Sequence, residues 1–210
     1  MSSSFEKQAG LLLIIFTVLI LLTMILHPAG GNFQHLLKYV PIVIISHSIA
    51  IGSLPFGAIG FWGLSRRLGT DNILSIAGFA FAILALIAAL LAATTNGLTL
   101  PLFVLYNKDI SPETIDSLKP NLSYIHSVNA AFDYIYTGAF SIAIAAWSLS
   151  ALKSRRFPRP LAVWGIVVAI GVIVMAIFAA SPASLYGFYV FAAGLISWTI
   201  FAGMALIRKP

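Results

Sequence analysis

Cysteine is absent from the 210-residue sequence, which excludes disulfides, thiolate catalysis, iron–sulfur clusters and cysteine-bound zinc. Charge is scarce as well, since 9% of the residues are charged whereas a soluble protein has about 25%. With 60% hydrophobic residues, a water-soluble fold of this size would have too little polar surface to cover itself. A lipid bilayer removes that need because lipid solvates the outer face of the protein.

Several chemical motifs are missing too. The sequence has no HExxH or paired HxxxH metal motif, no phosphate loop, no nucleophile elbow and no dinucleotide fingerprint. The net charge of +6 is of the sign that nucleic acid attracts. The basic residues lie at the ends of apolar runs, however, as expected when charge sets membrane orientation. We therefore predict the lipid bilayer as a partner and no nucleic acid.

The apolar residues fall into six runs, each near the roughly 20 residues that a membrane-spanning helix requires. They predict one all-α domain over residues 1–210, a polytopic transmembrane bundle of six helices. The predicted spans cover residues 11–26, 39–64, 73–93, 122–152, 161–180 and 185–207. Trp62–Ser65 and Trp147–Ser150 close the second and fourth runs with related tetrapeptides, which favours three helical hairpins.

Between the third and fourth spans lies the longest predicted connection, an outer loop over residues 94–121. Ser111, Pro112 and Glu113 have the pattern of a helix start, which predicts a short surface helix to Leu118. The apolar segment 100–106 is expected to lie on the membrane interface or over the bundle. A tight hairpin turn is expected at 181–184, between the last two spans.

Lys and Arg predict the orientation, because cytoplasmic segments are enriched in both. With both termini cytoplasmic, nine basic residues lie inside and three outside. The inner residues are Lys7, Arg66, Arg67, Lys153, Arg155, Arg156, Arg159, Arg208 and Lys209, and the outer ones are Lys38, Lys108 and Lys119. Trp62, Trp147 and Trp164 adjoin the basic segments as expected interface anchors. We predict a multi-pass protein of the cell (inner) membrane.

Asp133 is the one acidic residue well inside a predicted span, and intramembrane acids point to function. His126 and Asn129 precede it at helical spacing, so the three side chains share one face of the fourth helix. Tyr136 and Thr137 continue that polar stripe. Because a stripe of this kind is unfavourable against lipid, we expect it to face the interior of the bundle.

His47 on the second span is the expected partner of Asp133. It lies 15 residues before Trp62, and Asp133 lies 14 residues before Trp147, which predicts similar depths in the membrane. The predicted ligand-binding residues are Asp133, His47, Asn129, His126, Tyr136 and Thr137. His27 and His35 are expected to be ordinary surface residues.

The sequence alone is compatible with three classes of function. It does not determine whether the chain is an enzyme. The first is binding or transport of a small polar ligand, cation or proton, with a homodimer expected because six spans are few for a carrier. The second is a non-catalytic membrane subunit or assembly factor, in which a buried Asp–His pair joins two helices. The sequence predicts no cofactor and no metal; the third class is the alternative in which haem is held by His47 and His126, or zinc by these histidines and Asp133 in an intramembrane hydrolase.

The segment ALKSRRFPRPL at 151–161, followed by AVWGI at 162–166, joins the fourth and fifth spans. A helix that ends in a basic, proline-containing turn and then re-enters the membrane resembles a recurring feature of small bacterial membrane proteins of unknown function. The resemblance covers about a third of the chain. It implies a bacterial six-helix protein and transfers no catalytic or binding residues.

Overall fold

A computed structural model describes residues 4–28, 33–177 and 185–208 of the chain, and within these ranges the protein is helical and has no strand. The predicted all-α fold with six long helices is confirmed. The turn expected at 181–184 lies outside the described residues.

The described helices, numbered along the chain, include two short ones between the third and fourth long helices. They are α1 Ser4–Leu26, α2 Phe33–Leu68, α3 Ile73–Thr94, α4 Leu100–Tyr106, α5 Pro112–Ile115, α6 Lys119–Ser154, α7 Arg159–Ile177 and α8 Leu185–Ile207. Four helical stretches are long and apolar enough to cross a membrane: α1, α2, α3 continued to Tyr106, and Asp116–Ser154, which contains α6. The last two helices carry shorter apolar stretches, Arg159–Val172 and Phe191–Ile207.

The six long helices form a ring in chain order, in which each packs against the next and α8 closes on α1. Connections of a few residues join α2 to α3 and α6 to α7, so these neighbours run antiparallel. In the first connection, Gly69 has a φ of +116°, a conformation that glycine adopts without a steric penalty. Asn72 then caps α3 by accepting a hydrogen bond from the Leu74 backbone N–H at 3.0 Å. We call this end of the bundle the basic end and the opposite end the distal end.

Most of the segment 94–121, which was expected to be the outer loop, is helical. After α3 the chain continues through a π-helical turn, Thr95–Thr99, directly into α4. The apolar α4 remains ordered because Val104 packs in a small distal core with Phe33, Val40 and Leu118. The segment thus covers part of the bundle.

The short helix expected from residue 112 is present as α5, one turn long and followed by a 3₁₀ turn at Asp116–Leu118. Ser111 does not cap α5 with its side chain. Its hydroxyl instead forms a hydrogen bond of 2.9 Å with the hydroxyl of Thr114.

At the basic end, polar side chains join α2, α3 and α6 through hydrogen bonds that bridge the helices. Trp147 donates its indole N–H to the Ser65 hydroxyl at 2.8 Å. Ser65 and Ser75 each donate a hydroxyl to the other's carbonyl, at 3.1 and 2.7 Å. Asn72 donates to the Ser150 hydroxyl at 2.8 Å. We call these five residues the basic-end lock.

Aromatic rings extend the lock towards the centre of the ring of helices. The Trp147 ring is stacked with those of Phe61 and Trp198, with centroids 5.2 and 5.9 Å away. Trp147 is only 1% exposed, so its expected role as an interface anchor is wrong. Its counterpart Trp62 is 40% exposed, as is Trp164, and both remain on the surface. The two related tetrapeptides therefore place their tryptophans in different surroundings.

The lock predicts that Gly78→Ala lowers stability. A Cβ atom at Gly78 would lie 2.6 Å from the indole nitrogen of Trp147, so the tryptophan must move away from Ser65. Overpacking of this kind costs about 1–3 kcal/mol. Thermal unfolding of the purified protein in detergent measures the effect.

Gly138→Ala is the matched control, because a Cβ there meets nothing within 4 Å. We expect its melting temperature to equal that of the wild type or exceed it slightly. Equal melting of the two variants would contradict the tight approach of α3 to Trp147.

Candidate functional site

The residues proposed from the sequence on α6 all lie in or next to its distal half, which the other helices cover only partly. The first buried residue of α6 is Thr137, and none precedes it among the described side chains from Lys119 onward. From Thr137 to Ala151, by contrast, α6 is packed inside the bundle. The polar stripe is therefore half-exposed along most of its length.

Asp133 and Asn129 form the most direct polar contact of the stripe. The side-chain amide of Asn129 donates a hydrogen bond of 2.8 Å to Oδ2 of Asp133, from one helical turn away. His126, which is exposed, interacts electrostatically with the same carboxyl group. These three residues form the Asp133 cluster.

Tyr136 and Thr137 lie next to the Asp133 cluster, towards the packed half of α6. The Tyr136 ring meets the rings of Phe140 and Phe191 edge-on, at centroid distances of 5.3 and 5.9 Å. The buried Thr137 hydroxyl has no hydrogen-bond partner among the residues that the structure describes. Tyr136 thus belongs to an aromatic layer beneath the cluster.

His47 lies elsewhere, on the face of α2 that meets α1 and the π turn. Its Nδ1 atom is 2.8 Å from the carbonyl oxygen of Val43 and 3.3 Å from the hydroxyl of Ser46. Its ring lies 5.0 Å from that of His27, centroid to centroid. Gly97 in the π turn packs directly on the ring, since a Cβ there would overlap Cβ and Cγ of His47. His27, Ser46 and His47 form the His47 cluster.

The structure brings His126, Asn129 and Asp133 together and leaves His47 apart from them. Among the described residues, no hydrogen bond or ring contact joins His47 to α6. The candidate ligands His47, His126 and Asp133 form no group of three that could hold a metal ion. The π turn contacts both α2 and α6, and Gly97 in that turn packs directly on the His47 ring.

His27 is the residue that sequence reasoning missed. It follows α1 directly and was expected to be an ordinary surface residue, yet its ring meets that of His47. A signal was present in the sequence, because two antiparallel neighbouring spans bring the end of the first close to the start of the second.

Comparisons with protein-family models, with curated proteins and with solved structures found no match. The fold defines the class as an all-helical bundle with four stretches long and apolar enough to cross a membrane. Its distal end carries two separate polar clusters, around Asp133 and around His47.

Proposed function

We propose that this protein crosses the cell membrane six times, with both termini in the cytoplasm, and binds a small cation or a proton at the Asp133 cluster. The observation that carries the proposal is the hydrogen bond from Asn129 to Asp133. It holds one carboxyl oxygen in place on a half-exposed helix face and leaves the other oxygen for an ion.

The charge balance of the cluster supports this function. Among the described residues, no lysine or arginine forms an ion pair with Asp133. A carboxylate inside a membrane protein is costly unless a proton, a cation or a basic side chain compensates it. Since no lysine or arginine pairs with Asp133 among the described residues, a proton or a cation from solution would supply this compensation together with the exposed His126.

The length of α6 supports access from the outer side. Its 36 residues span about 54 Å, whereas the hydrocarbon core is about 30 Å thick. Asp133 lies 19 residues from Leu152 at the basic end, or about 28 Å along the helix. With Leu152 at the inner edge of the hydrocarbon core, the proposed topology has the carboxyl near the distal edge, where ions from the outer solution reach it.

The aromatic layer favours binding over conduction. Beneath the cluster, the bundle is filled by the rings of Tyr136, Phe140 and Trp147, together with their neighbours on α2 and α8. In this conformation an ion therefore reaches the site from one side only. Transport would need a rearrangement of the helices that meet at this layer.

A second candidate is a membrane subunit or assembly factor that docks through the same half of α6. Tyr124, Tyr134 and Ile135 are exposed there, which would suit a partner helix or a second copy of the chain. In that case Asp133 contributes to stability or assembly, and added ions do not stabilise the protein through Asp133.

Single-cysteine labelling tests the orientation, because the chain has no cysteine of its own. In intact cells, a membrane-impermeant maleimide should label Ser117→Cys in the distal connection. It should not label Ser154→Cys at the basic end until the membrane is permeabilised. The opposite pattern would contradict the proposed topology.

The ion site predicts that Asp133→Asn abolishes stabilisation by the bound ion. Thermal unfolding is measured in Li⁺, Na⁺, K⁺, Mg²⁺ and Ca²⁺ at constant ionic strength, and in a pH series without added salts. At about 100 times the dissociation constant, an ion stabilises the folded state by about 2.7 kcal/mol, which raises the melting temperature by about 5–10 °C. If the ligand is a proton, the wild type gains this stability as the pH falls.

Asp109→Asn is the matched control, because it makes the same chemical change at an exposed position outside α6. Its response should equal that of the wild type, and Asn129→Ala should show a weaker one. An identical ion and pH response in the wild type and Asp133→Asn would reject the site and leave the subunit as the better candidate.

A further inference from the structure

The two histidines of the His47 cluster meet where α1 ends and α2 passes it. Their ring centroids are 5.0 Å apart, and the rings are tilted by 58°. His47 is buried, while His27 is exposed at the end of the bundle. One ring is therefore fixed by the fold, and the other is accessible from solution.

Both rings have the same tautomer. Nδ1 of His27 is 2.9 Å from the carbonyl oxygen of Pro28, and Nδ1 of His47 is 2.8 Å from that of Val43. A carbonyl only accepts, so each Nδ1 carries the proton of the neutral imidazole, and each Nε2 carries a lone pair. Histidines that bind metals are oriented in this way, with the second nitrogen donating to a carbonyl or carboxylate.

We propose that Nε2 of His27 and Nε2 of His47 bind one divalent transition-metal ion, of the class of Zn²⁺ or Cu²⁺, at the distal end between α1 and α2. Imidazole nitrogen is a preferred ligand of these ions. With metal–nitrogen bonds of about 2.0–2.1 Å in tetrahedral geometry, two bound rings have centres about 5 Å apart. The observed separation of 5.0 Å fits this arrangement.

The π turn prepares the site by fixing the His47 ring. Gly97 packs against Cβ, Cγ and Cδ2 of His47, and any larger residue there would displace the ring. Turns of this type inside α-helices are frequent at functional sites. Two protein ligands leave the remaining coordination positions to water or to a small anionic ligand from the outer solution.

Zn²⁺ alone is the probe for this site. The full-length protein, purified in detergent and treated with chelator, is titrated with Zn²⁺ by calorimetry, and the Cu²⁺ complex is examined by electron paramagnetic resonance. We expect one Zn²⁺ per chain and hyperfine coupling of Cu²⁺ to two nitrogens. His27→Gln and His47→Gln should each weaken Zn²⁺ binding at least about tenfold.

His35→Gln is the matched control, since this histidine packs on Tyr39 rather than on His47. Its Zn²⁺ affinity should equal that of the wild type. If His47→Gln does not fold, the exposed His27→Gln decides the question, and Gly97→Ala provides a second displacement of the His47 ring. No stoichiometric binding by the wild type, or equal affinity in His27→Gln, overturns the proposal.

Discussion

The hydrogen bond from the Trp147 indole to Ser65 is the interaction on which the rest of the bundle depends. It joins α6 to α2, and the paired hydroxyls of Ser65 and Ser75 add α3 to the same junction. The rings of Phe61 and Trp198 stack with that of Trp147, so α8 also packs against this junction. Within a membrane, where lipid competes weakly for polar groups, such bonds and close packing are the main forces between helices.

The basic half of α6 is packed around this lock, whereas its distal half is covered only partly. The distal half of α6 has no buried residue before Thr137 among its described side chains, and it carries the Asp133 cluster. His47 lies against Gly97 of the π turn after α3 and pairs with His27 rather than with that cluster. The two proposed ion sites therefore lie at one end but on different helix pairs, and each can be tested without the other.

The sequence predicted the parts that depend on length and local spacing. Apolar runs of spanning length predicted the six helices, and helical spacing predicted that Asn129 lies beside Asp133. Two residues at the same depth in a bundle can still face different neighbouring helices. Equal depth was the only basis for expecting His47 to approach Asp133, and it does not predict which helix each side chain faces. The burial of Trp147 could not be predicted from the sequence either. Its indole packs closely on Gly78 of another helix, where a larger residue would leave no space for it.

The hydrogen bond between the Trp147 indole and the Ser65 hydroxyl requires that the two side chains are energetically coupled. A double-mutant cycle with Trp147→Phe, Ser65→Ala and the double variant, followed by reversible unfolding in detergent, measures that coupling. Interhelical hydrogen bonds of this kind contribute about 0.6–1.7 kcal/mol, so the double variant should be less destabilised than the two single changes added together. Strict additivity of the two single effects would show that this hydrogen bond does not hold α2 and α6 together.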